Sequence, residues 1–183
     1  MSEEVMVRQC APTLAGLKTG SLFTHPYTTQ RTLRLEIAEM NRRLRGKGLC
    51  LLPLRFMEKR ALLYLYRPGR LRHDLQDAQA QALLARMGYA GLSPEQCIAE
   101  LSRKLQTSEE SPHEIGLFLS YPPEDVRGFM ENRAANFKCV GTWKVYGDEQ
   151  KAQRTFRQFR QCTNIYCTQF QNGRRLEQLA VAK

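Results

Sequence analysis

Cys10 opens the chemical reading of this chain. It stands two residues before Pro12, and proline is tolerated at the first position of a helix, so Cys10-Ala11-Pro12 would place a thiol just ahead of a helix N-terminus. Backbone amides there stabilise a thiolate, and Lys18, near in sequence, adds to the effect. His113 begins the segment His113-Glu114-Ile115-Gly116, which reads as a strand. An early cysteine followed by a histidine on a later strand is the order of papain-like thiol enzymes. A Cys10/His113 pair would support thiol-dependent acyl-transfer or redox chemistry, with Glu114, Asp125 or Asn132 as candidate orienting residues. Only the order agrees, because the papain-type signature around the nucleophile is absent. In the competing reading Cys10 is a small buried apolar residue.

Two further segments carry polar groups in suggestive places. Tyr121-Pro122-Pro123-Glu124-Asp125 would join a strand to a helix N-terminus, where an anion can dock, and Gly116 would permit close approach of backbone. In Trp143-Lys144-Val145-Tyr146, strand alternation puts Trp143 and Val145 on one face and Lys144 and Tyr146 on the other. The candidate catalytic residues are therefore Cys10, His113 and Glu114. The candidate ligand-binding residues are Lys18, Tyr121, Asp125, Lys144 and Tyr146. No metal site is expected, since His25, His73 and His113 lie far apart and the six cysteines contain no Cys-x-x-Cys pair. No glycine loop of the phosphate-cradling kind is present.

The elements that must hold these residues follow from periodicity. Ser2 caps a short helix to about Arg8, which Cys10-Ala11-Pro12 interrupts before a second helical turn from Pro12. Ser21 to Thr24 is a brief strand. From about Thr29 to Arg45, Leu33, Ile37, Met40 and Leu44 recur at four-three-four spacing, the mark of an amphipathic helix with a basic outer face. Leu49 to Phe56 and Ala61 to Tyr66 form a hairpin. One helix is expected from about Leu71 to Met87, and Ser93-Pro94-Glu95-Gln96 is a capping box with proline at the first helical position. Gln106 to Pro112 reads as a polar connector, Glu114 to Tyr121 as a strand, Pro122 onward as a helix, and Phe137 to Tyr146 as a last strand. A long helix follows Asp148, with Ala152, Phe156, Phe159, Thr163, Tyr166 and Phe170 on one face. The sum is an α+β fold, one mixed or antiparallel sheet of about five strands packed with helices in a single domain.

Composition bounds the rest. The 183 residues are 42% hydrophobic and 25% charged, a globular balance. No signal peptide or membrane-spanning run is evident, so a cytoplasmic protein with free thiols and no membrane partner is expected. A formal net charge of +10 favours an anionic partner, an acidic protein or a nucleic acid. The arginines Arg154, Arg157 and Arg160 are three apart and spread around their helix, which suits a solvated face better than a binding stripe.

Three separated stretches, Cys10 to Gly20, Gly116 to Val126 and Trp143 to Asp148, resemble the marks of a bacterial family catalogued as a domain of unknown function, numbered thirty-seven ninety-three. The resemblance runs from Cys10 to about Tyr166 and implies one intact domain. It departs from the family pattern at Ser120, where the pattern has glycine. The family carries no established activity. Its occurrence mainly in anaerobic bacteria, beside iron-uptake and flavodoxin genes, implies an iron- or haem-handling accessory role as one further reading. Three functions thus stand at this point: a thiol-dependent pocket protein, a non-enzymatic basic binding module, and an iron or haem accessory protein. Whether the chain is an enzyme, and what cofactor it takes, stays open.

Overall fold

The computed structural model describes residues 1–108 and 110–182. Two compact units are distinguished within the chain, Met1–Arg70 with Gln161–Lys183, and Leu71–Arg160.

The first unit is built on an antiparallel sheet in the order β1-β3-β2, from β1 (Gly20–Pro26), β2 (Cys50–Phe56) and β3 (Arg60–Tyr66). The hairpin read from sequence is present, with Phe56 opposite Ala61 and a bulge between Pro53 and Arg55. Phe23, Leu51, Ala61, Leu63 and Leu65 pack from the sheet into one core with helices α1 (Glu3–Leu14) and α2 (Gln30–Leu44). The four buried residues of α2 are Leu33, Ile37, Met40 and Leu44, the set its spacing predicts. Asn41 ties α2 to β2 by exchanging two hydrogen bonds with the backbone of Leu51, at 2.9 and 2.7 Å.

α1 does not break at Cys10-Ala11-Pro12. It runs through Pro12 to Leu14 and ends where Gly16 turns left-handed at φ 71°. Proline removes one backbone donor near the end of the helix, and burial of Cys10, Ala11, Pro12 and Leu14 outweighs that loss. The carbonyls left open at this end are met by Arg67, which is 3% exposed. Its guanidinium donates to Thr13 O at 2.8 Å, Leu14 O at 2.7 Å, Lys47 O at 3.0 Å and Val181 O at 2.9 Å.

In the second unit the helix expected from Leu71 to Met87 is two. α3 (Pro68–Leu75), which starts just inside the first unit, is followed by α4 (Ala78–Arg86), because Asp77 caps α4 with bonds from Gln79 N and Ala80 N. α5 (Pro94–Thr107) starts at the reciprocal Ser93/Gln96 capping box. Glu109, within the polar connector, lies outside the described residues.

The strand expected over Glu114 to Tyr121 is instead a short helix, α6 (Ile115–Phe118), closed by Ser120 at φ 62°. α7 (Pro123–Glu131) follows as predicted. The last long strand is a tight hairpin of β4 (Cys139–Val140) and β5 (Lys144–Val145), so the sheet of about five strands is a three-stranded sheet and a separate two-stranded one. α8 (Glu149–Gln171) opens on an Asp148 cap to Lys151 N at 2.9 Å, and α9 (Leu176–Leu179) lies in the first unit. Among the described residues no helix is long and apolar enough to cross a membrane.

Candidate functional site

The second unit holds a cavity of about 370 Å³ between α6, α7 and the β4–β5 hairpin. Its walls include Tyr121, Phe129, Trp143, His113, Lys144 and Val126. Each is placed by a local rule. Pro122 and Pro123 start α7 directly after Tyr121, and helical spacing carries Asp125, Val126 and Phe129 round to the cavity side. Gly116 lets α6 close on α7, since a Cβ there would lie 2.8 Å from Val126 Cγ2 and 2.9 Å from Tyr121 Cδ2.

The hairpin wall is fixed by one carboxylate. Asp125, 3% exposed, accepts from Trp143 Nε1 through Oδ2 at 2.7 Å, and from the backbone amides of Tyr146 and Gly147 through Oδ1, each at 2.7 Å. Three donors on a buried carboxylate make a strong clamp, because each bond is charge-assisted and the indole bond is buried. The indole so held lies against Tyr121, with ring centroids 4.9 Å apart and the planes tilted by 30°, and meets Phe156 edge-on at 4.5 Å. Tyr121 donates its hydroxyl to Thr142 O at 3.2 Å, and burial pushes its phenol pKa up.

Lys144 supplies the cation of the cavity. Its Nζ donates to Ala134 O at 2.7 Å and lies 4.8 Å from the Phe137 ring and 5.9 Å from that of Phe129. Ammonium has three donors, so this arrangement orients the charge without using it up. Opposite, His113 meets Phe129 edge-on at 5.0 Å. Both oxygens of Asp125 are engaged by the hairpin, and Lys144, His113, Ser111 and Thr142 are the other polar residues of the lining, with Lys144 carrying the ammonium.

Of the residues singled out from sequence, His113, Tyr121, Asp125 and Lys144 thus line one cavity. Asp125 works as a clamp within it. Tyr146 packs over Gly128, where a Cβ would lie 2.4 Å from the Tyr146 ring. Glu114 is 0% exposed and turns to α4–α5, where its Oε1 accepts from Tyr89 Oη at 3.0 Å and Lys104 Nζ at 2.8 Å. His113 and Glu114 lie on a turn and at the start of α6, not on a strand.

Cys10 and Lys18 belong to the first unit. Cys10 sits inside α1 and not ahead of a helix, so the helix-end position that would have favoured a thiolate is not formed. It is 0% exposed, and burial pushes its thiol up to about 12 against smaller opposing effects of Lys18 and Ser21. Burial likewise brings the Lys18 amine down to about 8. Both directions favour neutral side chains.

Of the basic face of α2, Arg42 pairs with Glu39 at 2.7 Å, and Arg43 bridges Glu3 and Glu177. Among the described residues no group of three or more His, Cys, Asp or Glu is placed to hold a metal ion.

The sequence reading passed over Phe129 and did not name Trp143 among the ligand-binding candidates; Trp143 is buried in a core with Val145, Ala152, Phe156 and Phe159 and also borders the cavity. The signal available for both was local. Phe129 stands four residues after Asp125 on the helix face that Asp125 turns inward, and Trp143 neighbours Lys144 at a hairpin tip.

The model of a protein family described as of unknown function matches residues 6–180. No curated protein and no solved structure matches the chain.

Proposed function

The chain belongs to the DUF3793 family of proteins of unknown function, and from the site itself we propose that its second unit binds a small planar organic anion, such as an aromatic carboxylate. The observation that carries this reading is the convergence of three aromatic rings, Tyr121, Phe129 and Trp143, with the ammonium of Lys144 on one cavity. Small-molecule sites are concave and mostly apolar, with few polar groups to orient the ligand. Here the rings offer flat walls, and Lys144 with His113 offers donors but no free carboxylate. A planar body with an anionic edge matches both features.

The pocket reading of the sequence is kept in this proposal, and its thiol is not. Cys10 is buried and protonated at neutral pH, so it adds neither a nucleophile nor a redox group to the cavity.

Equilibrium dialysis against benzoate and its amide tests the proposal. Retention of benzoate, weak retention of benzamide and loss of the difference in Lys144→Gln support it. Equal retention of the two, or none of either, overturns it.

A further inference from the structure

We infer that the first unit binds single-stranded nucleic acid on a basic and aromatic patch where the β2–β3 turn meets the start of α2. The patch consists of Arg31, Arg34, Lys59 and Arg60 with the rings of Tyr27 and Phe56.

The formal net charge of +10 is not shared between the two units. The first holds 16 Lys and Arg against six Asp and Glu, whereas the second holds 12 of each kind. Five of the six acids of the first unit are already paired. Glu3 and Glu177 hold Arg43, Glu4 holds Arg8, Glu39 holds Arg42, and Glu36 meets the amino group of Met1. Glu58, in the β2–β3 turn, is the one left. Such an excess of one sign on one unit draws an anionic partner to that unit.

Contacts make the patch continuous. The guanidinium of Arg34 lies 5.5 Å from the centre of the Phe56 ring, and Phe56 meets Tyr27 edge-on at 5.9 Å. Tyr27 is tied to the turn twice, donating its hydroxyl to Met57 O at 2.7 Å and its amide to Lys59 O at 3.2 Å. Arg60 stands opposite Pro26 in the β1–β3 pairing and donates to Thr24 Oγ1 at 2.8 Å. Arg31 precedes Arg34 by one turn of α2, on the same side. All four cations are exposed, and none forms an ion pair among the described residues.

The chemistry of the patch then selects the partner. Unpaired cations side by side suit a chain of phosphates, and release of the counterions on that chain drives association. Tyr27 and Phe56 are half-buried, packed against the core and partly open to solvent. Rings so placed have no use for a duplex, whose bases are stacked inside it. The bases of a single strand can lie on them and on the Arg34 guanidinium. An acidic peptide would use the cations and leave the rings idle.

The test follows the fluorescence anisotropy of fluorescein-labelled dodecathymidylate as native protein is added. Binding is saturable and weakens about 50-fold between about 50 and about 200 mM NaCl, the loss expected for four phosphate contacts on a single strand. Arg34→Gln combined with Lys59→Gln raises the dissociation constant at least tenfold and lowers the log–log salt slope by about 1.4, the share of two contacts. Arg45→Gln combined with Arg174→Gln removes the same charge from exposed positions of the first unit outside the patch, and changes affinity less than threefold. Phe56→Leu keeps the apolar packing and weakens binding at least threefold with the slope unchanged, the sign of lost stacking. The inference is overturned if the strand does not bind at the lower salt, if the two double variants weaken it equally, or if Phe56→Leu binds as the wild type. It is overturned too if the strand in duplex form, or poly-L-glutamate of equal charge, binds as tightly.

Discussion

Trp143 donates its indole N–H to Asp125 Oδ2 at 2.7 Å, joining a hairpin of two-residue strands to the first turn of α7. A hairpin this short is not stable by its own ladder. Asp125, with its further bonds to Tyr146 N and Gly147 N, is what gives the aromatic wall a fixed position.

Asp125→Ala should therefore lower stability by about 2–4 kcal/mol, since three donors lose their acceptor in a buried place. Urea unfolding measures the loss. In the native state Trp143 emission should move to longer wavelength as the indole gains water. An unchanged midpoint and spectrum would show that the hairpin is held by packing alone.

The buried amine of Lys18 makes stability depend on pH in a defined window. Its folded value of about 8 lies below the ordinary 10.5, so below pH 8 the folded chain carries the whole cost of burying a charge. As pH rises from 8 to 10.5 the folded state has given up the proton that the unfolded state still holds, and the cost disappears. Lys18→Met should thus be more stable than the wild type at pH 7, by about 2 kcal/mol. The gap should close toward pH 10.5 in paired denaturation curves.

Cys10 moves the other way. Above its ordinary value of 9.0 the unfolded thiol ionises while the folded one, near 12, does not. At pH 8 iodoacetamide should leave Cys10 unmodified in native protein and label it fully in denaturant, as read by peptide mass. Fast native labelling of Cys10 that is lost in His113→Ala would restore the thiol reading.

Ser120 holds φ 62°, a conformation that costs an L-residue about 1 kcal/mol and glycine almost nothing. Ser120→Gly should raise the urea midpoint, by up to about 1 kcal/mol in stability.

What could be read from sequence depended on whether a rule was local and periodic. The stripe of α2 and the Ser93/Gln96 box were legible because helical spacing and capping are written within a few residues. Ile115 to Leu119 was misread because a short apolar run has the same pattern as a buried strand or a helical turn. The left-handed turn at Ser120 that decides between them comes from a residue that seldom adopts positive φ. The alternation across Trp143 to Tyr146 set Trp143 apart from Lys144, although both border one cavity, and it could not reveal the turn at Gly141-Thr142 that folds the segment back. The site itself was half legible. Polar residues at element ends were found, whereas the separation of Cys10 from His113 into different units depends on long-range packing that no spacing records.

Trp143 is the only tryptophan of the chain and forms a wall of the aromatic cavity, so its fluorescence is the most direct reporter of the proposed anion site. The measurement is a titration of native protein and Lys144→Gln with benzoate and with benzamide. Saturable quenching by benzoate, at least tenfold weaker for benzamide and for the variant, is the predicted result. A Trp143 signal that benzoate leaves unchanged, or that both compounds and both proteins change alike, would contradict the account.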